Sequence, residues 1–215
     1  MEDKKIVTKK KQFKFKDKKK MIVLGIMVVL FIILTVLIKT HIIKPFDNLV
    51  ESFVIGIRND NLTRVMTTIT NISRAYFLIS MSIILLFVIK NKKTPLLIII
   101  NLVCVFLSSQ LLKIIFRRAR PDGEFLVGAS GYSYPSGHAM VSLAYFWFIL
   151  YLIKKNVKSK LMRIILTIIT IVLIFLIGFS RIYLGVHYTS DVLGGFILAI
   201  GYLMIFFTVI GNGEK

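Results

Sequence analysis

Acidic residues are scarce: 10 Asp and Glu stand against 29 Lys and Arg, which leaves the 215-residue chain at +19. Cysteine is almost missing as well, and the single Cys104 excludes an internal disulfide. No stretch alternates polar and apolar residues with a period of two, which argues against a barrel. No repeat unit recurs, and low complexity is confined to the Lys-rich beginning. What the chain has in excess is apolar surface: 56% of residues are hydrophobic, 17 of them Phe, and the mean hydropathy is +0.80. A nucleic-acid-binding protein of this charge is polar overall, and a disordered basic tail carries few aromatic or branched side chains, so both classes are excluded. The apolar residues need a solvent other than water. Met21 to Ile38 holds no ionisable side chain, and about 20 residues of helix cross a bilayer core.

These features predict an all-α fold, an integral membrane bundle of six transmembrane helices, with spans near 21–43, 72–89, 94–116, 137–153, 161–179 and 191–210. Residues 1–20 read as a basic cytoplasmic tail and 21–215 as one six-helix domain, with no room for a second folded unit. The first span resembles a secretory signal in having a basic flank, but its apolar run is too long and no small-residue cleavage pattern follows, so it is read as a retained anchor. Segment 44–71 reads as an extracytoplasmic interfacial helix, because Phe46, Val50, Phe53, Val54 and Ile57 recur at helical spacing between Asp47, Glu51, Arg58 and Asp60.

Orientation follows from the cations. Residues 1–20, the links 90–93 and 154–163, and Lys215 together hold 19 of the 29. The positive-inside rule puts these segments and both termini in the cytoplasm. They carry only four acids, Glu2, Asp3, Asp17 and Glu214, so a net +15 serves topology and attraction to anionic membrane lipids. The remaining +4 lies on the other face.

Three polar groups fall on that other face by helix parity. Lys113 near the end of the third span is followed by Arg117, Arg118, Arg120 and Pro121; Pro135-Ser136-Gly137-His138 opens the fourth span; Ser180-Arg181 closes the fifth, and His187 and Asp191 lead into the sixth. Ser136 and Gly137 at a helix start offer free N–H groups and the helix dipole to an anion, and Gly permits close approach. Lys113, Arg120 and Arg181 add charge, Arg as a planar fork suited to phosphate oxygens. His187 and Asp191 are four apart, so if the sixth helix begins by 187 they share a face, where the carboxylate can hold one ring nitrogen as N–H and leave the other free to attack. His138 beside the seat is suited to protonating a leaving oxygen.

Each feature has a plainer reading. Arg and Lys at helix ends commonly only anchor a protein at head groups, and Arg118 is read that way. Ser136 and Asp191 are ordinary helix caps when taken singly. Phe125, Tyr132, Tyr134 and His41 read as interfacial, and Cys104 as a small packing residue. Together the plain readings weaken, because two of the three His residues of the chain fall inside one basic cluster.

The pattern Lys113-x6-Arg120-Pro121, then Pro135-Ser136-Gly137-His138, then Ser180-Arg181-x5-His187-x3-Asp191 resembles the three-part signature of the type-2 phosphatidic acid phosphatase superfamily, with eleven positions agreeing in identity, spacing and order. Within it, the short six-helix form is most similar to bacterial phosphatidylglycerophosphatases of type B and undecaprenyl-diphosphate phosphatases. The resemblance implies hydrolysis of a lipid phosphate or diphosphate at the extracytoplasmic face of a bacterial plasma membrane, with no cofactor and no metal. It implies that His187 is a nucleophile forming a phosphohistidine, that Asp191 orients it, and that His138 serves as acid and then base. Lys113, Arg120, Ser136, Gly137 and Arg181 would bind phosphate. A transporter or flippase that binds a phosphate lipid without cleaving it is the alternative, against which stand the absence of an inverted repeat and of a broken midplane helix. The soluble vanadium-dependent haloperoxidases of the superfamily are a weaker one, since the spans argue against it.

Overall fold

The computed structural model describes residues 18–211, and the basic tail expected over 1–20 therefore lies almost wholly outside the described residues, as does Lys215. All regular structure among the described residues is helical: α1 Lys18–Lys39, α2 Lys44–Gly56, α3 Asp60–Asn71, α4 Ala75–Val88, α5 Lys93–Phe116, α6 Gly137–Asn156, α7 Lys160–Tyr183 and α8 Thr189–Gly211. Five of these, α1, α5, α6, α7 and α8, are long and apolar enough to cross a bilayer. The expected second span, 72–89, is not continuous. Its helix, α4, has 14 residues and reaches spanning length only together with α3, from which it is bent by 48°. The break falls where Asn71 to Arg74 interrupts the apolar run, and Arg74 takes an extended backbone at the start of α4.

The interfacial helix expected over 44–71 is likewise two helices. Asn59 is extended, and its side chain accepts from the Leu62 N–H, so it caps α3 and ends the run from α2. The junction is pinned to the end of α7: Arg58 Nε donates to Tyr183 O at 3.1 Å, and the Tyr183 hydroxyl accepts from the Asn59 N–H at 3.1 Å. The buried face also differs from the expected one. Val54 and Met66 pack with Tyr183, Leu184 and Val186, whereas Phe46 and Phe53 face outward and Asp47 is buried.

Helix α6 forms the centre, packed against α5, α7 and α8. Met140, Ala144, Tyr145 and Phe148 on α6 meet Ile98, Leu102 and Val105 of α5, Ile174 and Ile177 of α7, and Leu203 and Phe206 of α8. Polar groups in this core find partners across helices: the Tyr145 and Ser82 hydroxyls meet at 2.7 Å, and Asn101 Nδ2 donates to Ala144 O at 3.1 Å, while Asn101 Oδ1 has no partner. Outward positions carry exposed Ile, Leu, Val and Phe, as on α7 at Ile168, Ile169, Val172 and Phe175. Cys104, expected as a packing residue, is among the outward positions. The helix α1 packs mainly against α8, and in its second half Phe31 stacks on Tyr134 with centroids 5.7 Å apart and meets Phe116 of α5 edge-on.

Candidate active site

Two close approaches draw the helix ends together. A Cβ on Gly195 of α8 would lie 2.6 Å from Ser136 O, and one on Gly137 would lie 3.0 Å from Ser109 Oγ of α5, so the start of α6 is wedged between its neighbours only because these positions lack side chains. The Ser136 N–H is bound by Asp191 O at 2.9 Å, which ties the α6 start to the α8 start.

From that frame the side chains converge. Lys113 at the end of α5 donates to Tyr132 O at 2.7 Å and Ser133 O at 3.1 Å. Arg120 spans the loop, donating to Ser130 O at 2.7 Å, Gly131 O at 3.0 Å and Val186 O at 2.6 Å, with Nη1 3.5 Å from His187 Nε2. Arg181 is buried and donates from Nη1 to Thr70 Oγ1 at 2.7 Å, which fixes it against α3. His138 has the cations Arg181, Arg74 and Lys113 and the imidazole of His187 as neighbours. The eight residues singled out in the sequence thus belong to one cluster at one end of the bundle, opposite the ends that carry Lys90, Lys92, Lys93, Lys154 and Lys155.

The imidazole of His187 is oriented through a hydroxyl that the sequence did not single out. Its Nδ1 lies 3.2 Å from Ser133 Oγ and 3.5 Å from Asp191 Oδ2, and Ser133 Oγ donates to that same carboxylate oxygen in a short hydrogen bond. With the Ser133 proton committed to Asp191, His187 Nδ1 is the donor to Ser133, and the Nε2 lone pair faces Arg120. Burial pushes the His187 pKa down to about 3 against the pull of Asp191, so the ring is neutral at ordinary pH.

Asp191 is buried and held on every side. Its Oδ2 also accepts from the Tyr188 N–H at 2.9 Å, and Oδ1 accepts from Arg118 Nη1 at 2.6 Å. Arg118 is therefore not the solitary head-group anchor expected: its Nη2 pairs with buried Asp47 at 2.8 Å, and Asp47 in turn accepts from the Ser190 N–H at 2.9 Å and hydroxyl at 2.6 Å. Tyr134, expected at the interface, is buried and bonds its hydroxyl to Thr35 at 3.0 Å. Tyr132 and Phe125 are exposed.

Several buried polar atoms in this cluster have no hydrogen-bond partner: Ser136 Oγ, His138 Nε2, Arg181 Nε and Ser109 Oγ. Ser136 makes no side-chain cap to its own helix, which removes the plain reading of that residue. Unpaired polar atoms are costly in a protein interior. Their concentration beside the free N–H groups of the α6 start describes a seat shaped for an anion.

Residues 93–214, more than half of the chain, match the PAP2 superfamily. The chain belongs to that superfamily. It is 34% identical over 190 residues to the phosphatidylglycerophosphatase B of Bacillus subtilis (strain 168), which covers 86% of this chain and 92% of that one. An undecaprenyl-diphosphatase of Sulfolobus acidocaldarius is 27% identical over 190 residues, covering 80% and 84%. Among solved structures, the transmembrane PAP2 type phosphatidylglycerolphosphate phosphatase from Bacillus subtilis superposes with a TM-score of 0.79 over 89% of this chain and 96% of that one, at 34% identity. Aquifex aeolicus LpxE shares the fold, with a TM-score of 0.59 at 23% identity over 73% of this chain and 92% of that one. This PAP2 protein is accordingly an integral membrane phosphatase.

The residues that sequence reasoning missed are Ser133, Arg118, Asp47 and Ser190. Ser133 stands three positions before Ser136, near enough to the motif to have been suspected. Asp47 carried no signal, since nothing in a single sequence ties it to residues 71 and 143 positions away.

Proposed function

We propose that this PAP2 phosphatase hydrolyses the phosphate monoester or diphosphate of a membrane lipid, with phosphatidylglycerophosphate the first candidate and phosphatidic acid and undecaprenyl diphosphate next. The observation that carries this reading is the buried imidazole of His187, with Nδ1 beside the Ser133–Asp191 pair and Nε2 3.5 Å from Arg120, in a cluster where Ser136 Oγ, His138 Nε2 and Arg181 Nε have no partner. The order of the substrates rests on the named activities of the relatives.

In this reading Lys113, Arg120, Arg181, Ser136 and the backbone N–H of Gly137 hold the phosphoryl oxygens. The Nε2 lone pair of His187 attacks phosphorus, the bond to the lipid oxygen breaks, and protonated His138 gives its proton to that oxygen. A phosphohistidine results. His138, now neutral, takes a proton from water, the hydroxide attacks phosphorus, the P–N bond breaks, and inorganic phosphate leaves. The positive groups act by positioning and electrostatic stabilisation, which supply most of the acceleration in phosphoryl transfer. The cations that gather charge around the seat do this without a metal ion.

We place the seat at the extracytoplasmic surface of a bacterial cell membrane with both termini in the cytoplasm, because the Lys-rich links 90–93 and 154–160 lie at the opposite ends of α5, α6 and α7. The lipid keeps its chains in the bilayer and presents its phosphate at the helix ends. The test is release of phosphate from the three candidate lipids by purified protein in detergent with a chelator present. Turnover of at least one, with the order of initial rates naming the substrate, is expected. No release from any of the three would overturn the proposal.

A further inference from the structure

A cavity bordered by cations lies beside the end of α5. It is partly open, about 340 Å³ in volume and within the size range of small-ligand sites, between the turn joining α1 to α2 and residues 116–119. Its floor is apolar, made by Ile38, Ile43, Phe116 and the buried ring of Tyr134, and Lys39, Lys44 and Arg117 stand on its rim. Among the described residues, none of these three rim cations has a carboxylate within 4.0 Å: the ion pairs belong to Arg118 and His187. Two of the rim residues are fixed in place, Lys39 by Phe116 O at 3.2 Å and Arg117 by Ile114 O at 3.0 Å from a left-handed backbone at φ 48°.

The cavity is distinct from the seat. Lys113 does not line it and donates to the Tyr132 and Ser133 carbonyls instead. The shared wall is Arg118, which faces the cavity over the Tyr188 ring at 4.2 Å, with its charge already met by Asp47 and Asp191. Three uncompensated cations above an apolar floor suit a ligand with one anionic group joined to hydrocarbon. Inorganic phosphate would meet the cations and leave the floor unfilled. The ends of α1 and α5 lie at head-group depth for spans of this length, where such ligands are concentrated.

We propose that this cavity binds the phosphodiester head group of an anionic membrane phospholipid, as an anion site separate from the catalytic seat.

The test is native mass spectrometry of the purified chain in a non-ionic detergent, titrated separately with phosphatidylglycerol, phosphatidylcholine and inorganic phosphate. One phosphatidylglycerol is expected to be retained in preference to phosphatidylcholine. The variant Lys39→Gln/Lys44→Gln/Arg117→Gln should lower its apparent affinity by about tenfold or more, while Arg120→Ala in the seat leaves it unchanged. If the triple variant does not fold, Lys44→Gln alone serves, with a loss of roughly threefold expected. Equal retention of the two lipids, unchanged affinity in the rim variants, loss in Arg120→Ala, or binding of inorganic phosphate in place of the lipid would each overturn the proposal.

Discussion

Arg118 Nη1 stands 2.6 Å from Asp191 Oδ1, and this contact ties the loop after α5 to the first turn of α8. Because the other arm of the same guanidinium holds Asp47, one partly buried cation compensates two carboxylates that are shut off from solvent. Removing one partner of a buried pair leaves an uncompensated charge, at a cost of about 3–5 kcal/mol. Arg118→Ala is therefore expected to lower the thermal midpoint of the protein in detergent sharply, and Asp47→Asn added to it should recover part of the loss. Additive effects of the two substitutions would contradict the link.

Ser133 connects His187 to Asp191 without facing the seat itself, so it is a positioning residue. Ser133→Ala is expected to reduce kcat by roughly ten- to a hundredfold with KM within about twofold, and Ser133→Thr, which keeps the hydroxyl, should retain more activity. Steady-state kinetics on the best lipid substrate measure this. A loss confined to KM would assign Ser133 to binding.

The buried imidazole sets a pH dependence of stability. With a folded pKa of about 3 and an ordinary value of 6.5, the unfolded chain binds a proton at His187 between those limits and the folded chain does not. The contribution of the neutral ring is therefore complete above pH 6.5 and declines as pH falls toward 3. Between pH 7 and 5 the thermal midpoint of the natural protein should drop further than that of His187→Gln, which has no such proton to gain. Parallel curves would contradict it.

Packing at the α6 start gives a sharp contrast between two glycines. A methyl at Gly195 would meet Ser136 O at 2.6 Å, whereas nothing lies within 4 Å of one at Gly25. Gly195→Ala should destabilise by about 1–3 kcal/mol and lower activity by displacing Ser136. Gly25→Ala should be neutral or slightly stabilising. Thermal unfolding of the two variants side by side reads the difference.

The features legible in the sequence are those written in short-range spacing. Long apolar runs marked the spans, and the local patterns around Lys113, Pro135 and His187 marked three helix ends that the fold brings together. What escaped depended on distant partners. Asp47 read as one polar residue on an amphipathic segment, and only the packing of α2 against the α8 start shows it buried under Ser190 and Arg118. Arg118 looked like an interfacial cation for the same reason. The break between α3 and α4 was masked because hydropathy averages over Asn71 to Arg74, while backbone geometry does not.

The central claim is that His187 Nε2 takes the phosphoryl group. Rapid quenching of the enzyme with ³²P-labelled lipid phosphate in alkali, followed by peptide mapping, tests it most directly. Phosphorus is expected on His187, in an acid-labile, alkali-stable bond that appears and decays within one turnover. The same experiment on His187→Ala should yield no label and a turnover lower by about a thousandfold or more. Full turnover with no labelled histidine, or near-normal rate in His187→Ala, would contradict the account.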